Sequence, residues 1–322
     1  MKKRSLTAVI LVILGVILGV IIFDFLGNRP DRRGANPYAL EVDEFLEVDE
    51  ELIGYRETRN YALGGFTANA ICHHKGSLVL VGDSLLLVLG TDGTREDYFN
   101  IPAGSTCVLA DDDAYYVGYQ AGVMKFDRAG KLLGSWPGLG ERAVVTSLAR
   151  KDDRVFVADA GNRRIVIFST GGEMLGEFEG KAVTEVGHGF IIPSPNFEVA
   201  VNSYGELWVV NPGKHAIENY SDDGRMRGFW QSSSMKVEGF SGCCNPAELA
   251  VMEDGSFVTS EKGVVRIKIY DQSGKMLTVV APPALFKEEG KAPEVCVDAE
   301  KRVYALDFDR NMVRIFEPRQ DG

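Results

Sequence analysis

Five segments of the chain carry one cassette, an apolar or aromatic residue followed four positions later by glycine: Leu89 to Gly93, Phe126 to Gly130, Phe168 to Gly172, Tyr220 to Gly224 and Tyr270 to Gly274. The first members lie at 89, 126, 168, 220 and 270, so successive copies are 37, 42, 52 and 50 residues apart. Periods of roughly 40 to 50 residues are those of a β-propeller blade, a four-stranded sheet that buries its faces only by stacking on its neighbours. In the third copy, strand-sized runs over 146–149, 155–158, 164–168 and 173–178 are separated by the turn signals Asp152-Asp153 and Thr170-Gly171-Gly172. Laying the other copies on it predicts blades over 66–101, 104–138, 145–180, 196–232 and 246–282. A sixth starts at Glu294 and stops after Phe316 without a fourth strand. The segment 53–63, with Tyr55, Thr58 and Tyr61, belongs to no other copy, and pairing it with 313–316 would remove the open sheet edges. The fold expected is all-β: a six-bladed β-propeller over residues 53–318 closed by an N-terminal strand, with 319–322 as a tail.

The two ends set the compartment. Leu6 to Phe23 is a run of 18 residues with Thr7 as its one polar side chain. As a helix it would reach about 27 Å, close to the thickness of a hydrocarbon core. Asp24-Phe25-Leu26-Gly27 is no small-x-small cleavage site, so the run reads as an uncleaved transmembrane anchor over 6–26, with residues 1–5 cytoplasmic. Lys2, Lys3 and Arg4 before the run balance Arg29, Arg32 and Arg33 after it, and the secretory character of the N-terminus places the propeller outside the cytoplasm, periplasmic or extracellular. Gly15 and Gly19 form a G-x-x-x-G that would permit an anchor-mediated dimer. Residues 27–52 end in the acidic stretch Glu41 to Glu51 and read as a tether. A net charge of −11 opposes nucleic-acid binding, which rests on clustered Lys and Arg.

The stretch Val155-Phe-Val-Ala-Asp159-Ala-Gly161-Asn162-Arg163-Arg164-Ile165-Val-Ile-Phe168, followed by Gly172, resembles the NHL repeat. Val265-Arg-Ile-Lys-Ile-Tyr-Asp-Gln-Ser-Gly274 and Val313-Arg-Ile-Phe316 look like degenerate copies of it, and the resemblance covers residues 53–318. Elsewhere Gly82-Asp83-Ser84, Gly118-Tyr119-Gln120 and Asn211-Pro212-Gly213 replace the Asp-x-Gly-Asn turn. The resemblance implies a six-bladed NHL-type propeller. Within the motif, Asp159 and Asn162 are suited to satisfy turn backbone groups and Gly161 to take positive φ. NHL-type lyases hold a channel zinc with histidines from several blades, whereas His73 and His74 fall in a turn on the opposite face, and His188 and His215 make no such set.

In a propeller the loop entering each blade and the loop between its second and third strands share one face around the channel. Ser241-Gly242-Cys243-Cys244-Asn245-Pro246 enters blade five. Adjacent cysteines suit a vicinal disulfide, a pair of free thiols, or a redox or soft-metal role. The cations Arg163, Lys214, Lys262 and Arg310 fall in second-to-third-strand loops on the same face, ready to bind an anionic group or to pair with acids. Glu198, Glu248 and Glu294 each stand two residues before a small inner-strand residue (Ala200, Ala250, Cys296), so three consecutive blades present carboxylates at equivalent places near the channel mouth. Oxygen ligands around one centre suit Ca²⁺ or Mg²⁺; solvated acids, or partners for nearby cations, are the other reading. Cys72 and Cys296 occupy the small inner site, and Cys107 stands two residues before its counterpart in blade two, all suited to packing. Asp111-Asp112-Asp113 caps a hairpin turn, and no serine elbow, P-loop or dinucleotide fingerprint is present in a usable context. The function expected is therefore binding or assembly, of a protein partner or a small ligand, through the channel-mouth face. A divalent-cation-dependent hydrolase or lyase and a thiol-based redox accessory stay open as alternatives.

Overall fold

The computed structural model describes residues 12–23, 45–181 and 189–319. The chain divides into two compact units, Met1–Val42 and Asp43–Gly322. In the first, residues 12–23 form a helix whose large apolar side chains are all exposed, from 48% at Ile22 to 80% at Phe23. Among the described residues no helix is long and apolar enough to cross a membrane. The expected span over 6–26 extends beyond the described helix at both ends; residues 1–5, most of the tether, His188 and 320–322 also lie outside the described residues.

The second unit is six antiparallel sheets of four strands each. Blade one comprises Ala70–His74, Ser77–Gly82, Leu85–Gly90 and Arg95–Asn100. Blade two comprises Ser105–Ala110, Ala114–Tyr119, Gly122–Asp127 and Leu132–Ser135. Blade three is Val145–Lys151, Arg154–Asp159, Arg164–Ser169 and Met174–Phe178, and blade four Val199–Val201, Leu207–Asn211, Ala216–Tyr220 and Met226–Gln231. Blade five is Glu248–Val251, Phe257–Ser260, Ile267–Tyr270 and Met276–Ala281. Blade six joins Glu294–Val297, Val303–Asp307 and Met312–Pro318 to Tyr55–Ala62, which pairs antiparallel with Met312–Pro318. Second strands such as Leu207–Asn211 and Val303–Asp307 are buried throughout because neighbouring sheets cover both their faces. The outermost strand Arg95–Asn100 is exposed at all but one residue.

The cassette has a physical cause. In each of the first five blades the pairing of third and fourth strands shifts register immediately before the cassette's first residue: at Val88/Leu89, Lys125/Phe126, Ile167/Phe168, Asn219/Tyr220 and Ile269/Tyr270. The hairpin then turns through the glycine, with φ between 77° and 92° at Gly93, Gly130, Gly172, Gly224 and Gly274, a conformation that costs an L-residue with a Cβ roughly 1–2 kcal/mol. An aromatic ring from the preceding blade's outer edge lies on each glycine: Tyr61 on Gly93, Phe99 on Gly130, Trp136 on Gly172, Phe178 on Gly224 and Trp230 on Gly274. The same rings meet the cassette's first residue, Trp136 with Phe168 at 5.0 Å, Phe178 with Tyr220 at 5.0 Å and Trp230 with Tyr270 at 5.1 Å. The repeat is thus an inter-blade joint, in which glycine is needed for both the turn and the close approach of the ring.

Gly161 departs from expectation. Its φ is not positive; the left-handed residue of that turn is Arg163, at φ 56°. Glycine is required because a Cβ at 161 would overlap the Arg142 carbonyl. Asp159 takes the expected structural part, accepting from the Val144 and Asn162 amides at 3.1 and 3.2 Å, from Asn162 Nδ2 at 2.7 Å and from Arg164 Nε at 3.0 Å.

Candidate functional site at the channel mouth

The loop entering blade five is held from three sides. Asn245 is 2% exposed; its Nδ2 donates to the carbonyls of Ser241 at 2.7 Å and Lys262 at 3.0 Å, and its Oδ1 accepts from the Lys262 amide at 3.0 Å. The Asn245 carbonyl accepts from His215 Nδ1 at 2.9 Å, tying the loop to blade four. Asn245 therefore frames the site rather than presenting a side chain to a ligand.

Beneath the loop lies a feature that sequence reasoning missed. Glu261, Arg266 and Lys268 are each fully buried, with Glu261 Oε1 2.9 Å from Arg266 Nε and 2.6 Å from Lys268 Nζ. Their remaining hydrogen bonds hold the connection from blade four. Glu261 Oε2 accepts from the Ser241 amide at 3.2 Å. Lys268 donates to the carbonyls of Val237 at 3.0 Å and Gly239 at 2.6 Å, Arg266 donates to those of Met235 at 3.4 Å and Gly239 at 3.3 Å, and the Tyr270 hydroxyl donates to that of Glu238 at 3.0 Å. Burial lowers the Lys268 ammonium to about 8 against the opposing pull of Glu261. Buried charges persist where partners satisfy them, and here they fix the shape of segment 235–241 and the loop after it. The signal was present: Arg266 and Lys268 alternate on one face of an otherwise apolar strand, two like charges at inward positions beside Glu261.

On this frame stand Cys243, exposed, and Cys244, buried, both free thiols with sulfurs 3.1 Å apart. Lys262 Nζ lies 2.9 Å from Ser194 Oγ and 3.5 Å from Asn196 Oδ1, and Ser194 Oγ donates to Asn196 Oδ1 at 2.9 Å. Burial pushes the Cys244 thiol up, but Ser194, Cys243 and the Lys262 charge together outweigh it and hold it below the ordinary thiol range. Its hydrogen bond with Cys244 raises Cys243. The pair thus loses one proton easily and the second with difficulty. The other cysteines are free and differently placed: burial pushes Cys72 up to about 12 and raises Cys107 and Cys296.

The four expected cations do not form one site. Lys262 joins the thiol pair, as described. Lys214, beside His215, pairs with Glu218 at 3.4 Å, Arg310 pairs with Asp307 at 2.9 Å within its own turn, and Arg163 is exposed on blade three.

Glu198, Glu248 and Glu294 all line two cavities, one of about 460 Å³ that also borders Thr106, Thr146, Pro195 and Phe308, and one of about 370 Å³ that borders Cys72, Ala149 and Arg150. By strand register, the equivalent positions of blades one to three hold Ala70, Cys107 and Ser147, so acids mark one half of the ring and small side chains the other. Burial raises all three carboxyls, Glu248 to about 8; repulsion from Glu248 adds to the rise at Glu198 and Glu294. Two are engaged by a neighbour: Glu294 Oε2 accepts from the Ile71 amide at 2.9 Å, and Asn196 Nδ2 donates to Glu248 Oε1 at 3.5 Å. Among the described residues no group of three or more His, Cys, Asp or Glu side chains is placed to hold a metal ion. Nor do the loop cations pair with these acids; Asn196 is the link, contacting Lys262 through Oδ1 and Glu248 through Nδ2. Neither Ser194 nor Asn196 stood out in the sequence, because the loop carrying them enters blade four and the residues they serve are in blade five.

No family model and no curated protein matches the sequence. Solved propellers resemble it in shape. A streptogramin B lyase structure aligns with TM-score 0.59 at 10% identity, covering 84% of this chain and 100% of that one. A virginiamycin B lyase from Staphylococcus aureus aligns with TM-score 0.57 at 12% identity, covering 82% and 100%. A WD40 domain from Neurospora crassa aligns with TM-score 0.54 at 10% identity, covering 85% and 98%. At such identities the likeness is one of fold: the protein is a six-bladed β-propeller.

Proposed function

We propose that the protein is a membrane-tethered, NHL-like propeller working outside the cytoplasm as a binding module, which takes a protein partner or small ligand at the channel mouth between blades four and five. The observation that carries this reading is the Cys243-Cys244 loop, an exposed thiol beside Lys262 on a frame fixed by buried Glu261, Arg266 and Lys268. Such a network costs desolvation that a simple apolar core would avoid, and it gives a loop of fixed shape. The tether rests on the apolar run 6–23 and on the helix over 12–23, whose apolar side chains meet solvent on every side and would be satisfied by lipid. The NHL likeness rests on the Asp159 turn and the cassette of blade three.

The test is recovery of cross-linked complexes from intact membranes containing the full-length chain. Replacing Lys262 with Met together with Cys243→Ser and Cys244→Ser is expected to reduce recovery tenfold or more while the melting temperature holds. Unchanged recovery would overturn the reading.

A further inference from the structure

We infer that Cys243 and Cys244 form a dithiol–disulfide couple that exchanges electrons with a disulfide or dithiol presented at the channel mouth. This rests on the reading of the mouth as the functional face and names its chemistry. The sulfurs are 3.1 Å apart and unequal in access: Cys243 is exposed and Cys244 is 4% exposed. That division suits an attacking and a resolving thiol. Lys262, held by Ser194 at 2.9 Å, stands on the resolving side, where its charge favours the Cys244 thiolate. The frame beneath keeps both sulfurs in place, and the remaining three cysteines are set into the inner strands.

The exchange balances with the incoming disulfide as oxidant. Cys243 passes its proton to the Cys244 thiolate across the 3.1 Å contact as it attacks one sulfur of the disulfide, forming a mixed disulfide and expelling the other sulfur, which carries that proton away as a thiol. The Cys244 thiolate, held by Lys262, then attacks Cys243 Sγ and expels the second thiolate. The loop is left with an intramolecular disulfide, and the two protons given up by Cys243 and Cys244 finish on the two thiols released. Two electrons pass from the loop to the partner, and the reverse sequence oxidises an incoming dithiol. Adjacent cysteines close a strained ring, and strained, exposed disulfides are the more oxidising ones.

The probe is glutathione. Full-length protein in detergent is equilibrated across reduced-to-oxidised glutathione ratios, quenched with acid, alkylated after unfolding, and weighed by mass spectrometry. Two alkylated sites are expected to disappear together in one two-electron transition. Cys244→Ser is expected to accumulate a stable single glutathione adduct at Cys243, and Lys262→Met to slow exchange at neutral pH tenfold or more with the two-electron transition retained. Persistent alkylation of both Cys243 and Cys244 across the range, a stable glutathione adduct on the unaltered pair, or an unchanged rate in Lys262→Met would overturn the proposal. Because the titration needs no partner, its failure with complex recovery intact would remove the couple and leave the binding reading standing.

Discussion

Trp230, on the outer strand of blade four, lies against the Cα of Gly274 and packs on Tyr270 at 5.1 Å, so one indole covers both ends of the blade-five cassette. An alanine at 274 would have to adopt φ near 86° and displace the ring. Gly274→Ala should therefore cost roughly 1–2 kcal/mol for the backbone alone, and more with the overlap. Urea denaturation with tryptophan fluorescence measures it; a loss below about 0.5 kcal/mol would mean the joint is not a constraint.

The buried ion network should behave as a unit. Removing Arg266 leaves Glu261 without one of its two buried partners, so Arg266→Met is expected to destabilise the propeller by about 3–5 kcal/mol. Segment 235–241 would lose the Arg266 bonds to Met235 and Gly239, and alkylation of Cys244 in the native state should speed up. Destabilisation without faster alkylation would separate the network from the thiol loop.

The channel acids set a pH dependence. Glu248 is raised to about 8 in the folded protein, beside Glu198 and Glu294, which are also raised, and Asn196. Below the ordinary carboxylate range both states are protonated. Above it the unfolded chain ionises while the native site keeps its proton, so stability falls as pH rises toward 8, at up to about 1.4 kcal/mol per pH unit for each such group. Lys268 acts in the opposite sense only above its own value of about 8. Denaturation at pH 5, 6.5 and 8 should show the fall, and Glu248→Gln should flatten it. Stability that rose across this window would contradict the burial of these acids.

The proposed tether makes a simpler demand. Full-length protein should stay in the membrane fraction through alkaline carbonate extraction, and removal of residues 1–26 should release a folded propeller. Complete extraction of the full-length chain would dismiss the anchor.

The blades were legible because a bulge, a left-handed glycine and a covering ring recur at one place in five sheets, which stamps a short-range pattern such as Phe168 to Gly172 on the sequence. The mouth was half legible. Cys243 and Cys244 stand out as a pair, but Ser194 and Asn196 reach the neighbouring Lys262 across a blade boundary that no local pattern marks. Gly161 was misread because a close backbone approach and a positive φ both ask for glycine, and only coordinates separate them. Glu198, Glu248 and Glu294 were correctly grouped along the channel, yet strand alternation gives the side of a sheet and not the distance across a ring.

The most direct measurement replaces one residue at a time with a photo-reactive side chain in the protein expressed in intact cells. Arg163 and Arg310 flank the mouth, while Tyr204, 66% exposed, lies in a first-to-second-strand turn on the opposite face. Adducts from the mouth positions and none from Tyr204 are the result expected if the mouth is the working face. Adducts of equal yield from Tyr204 would contradict it.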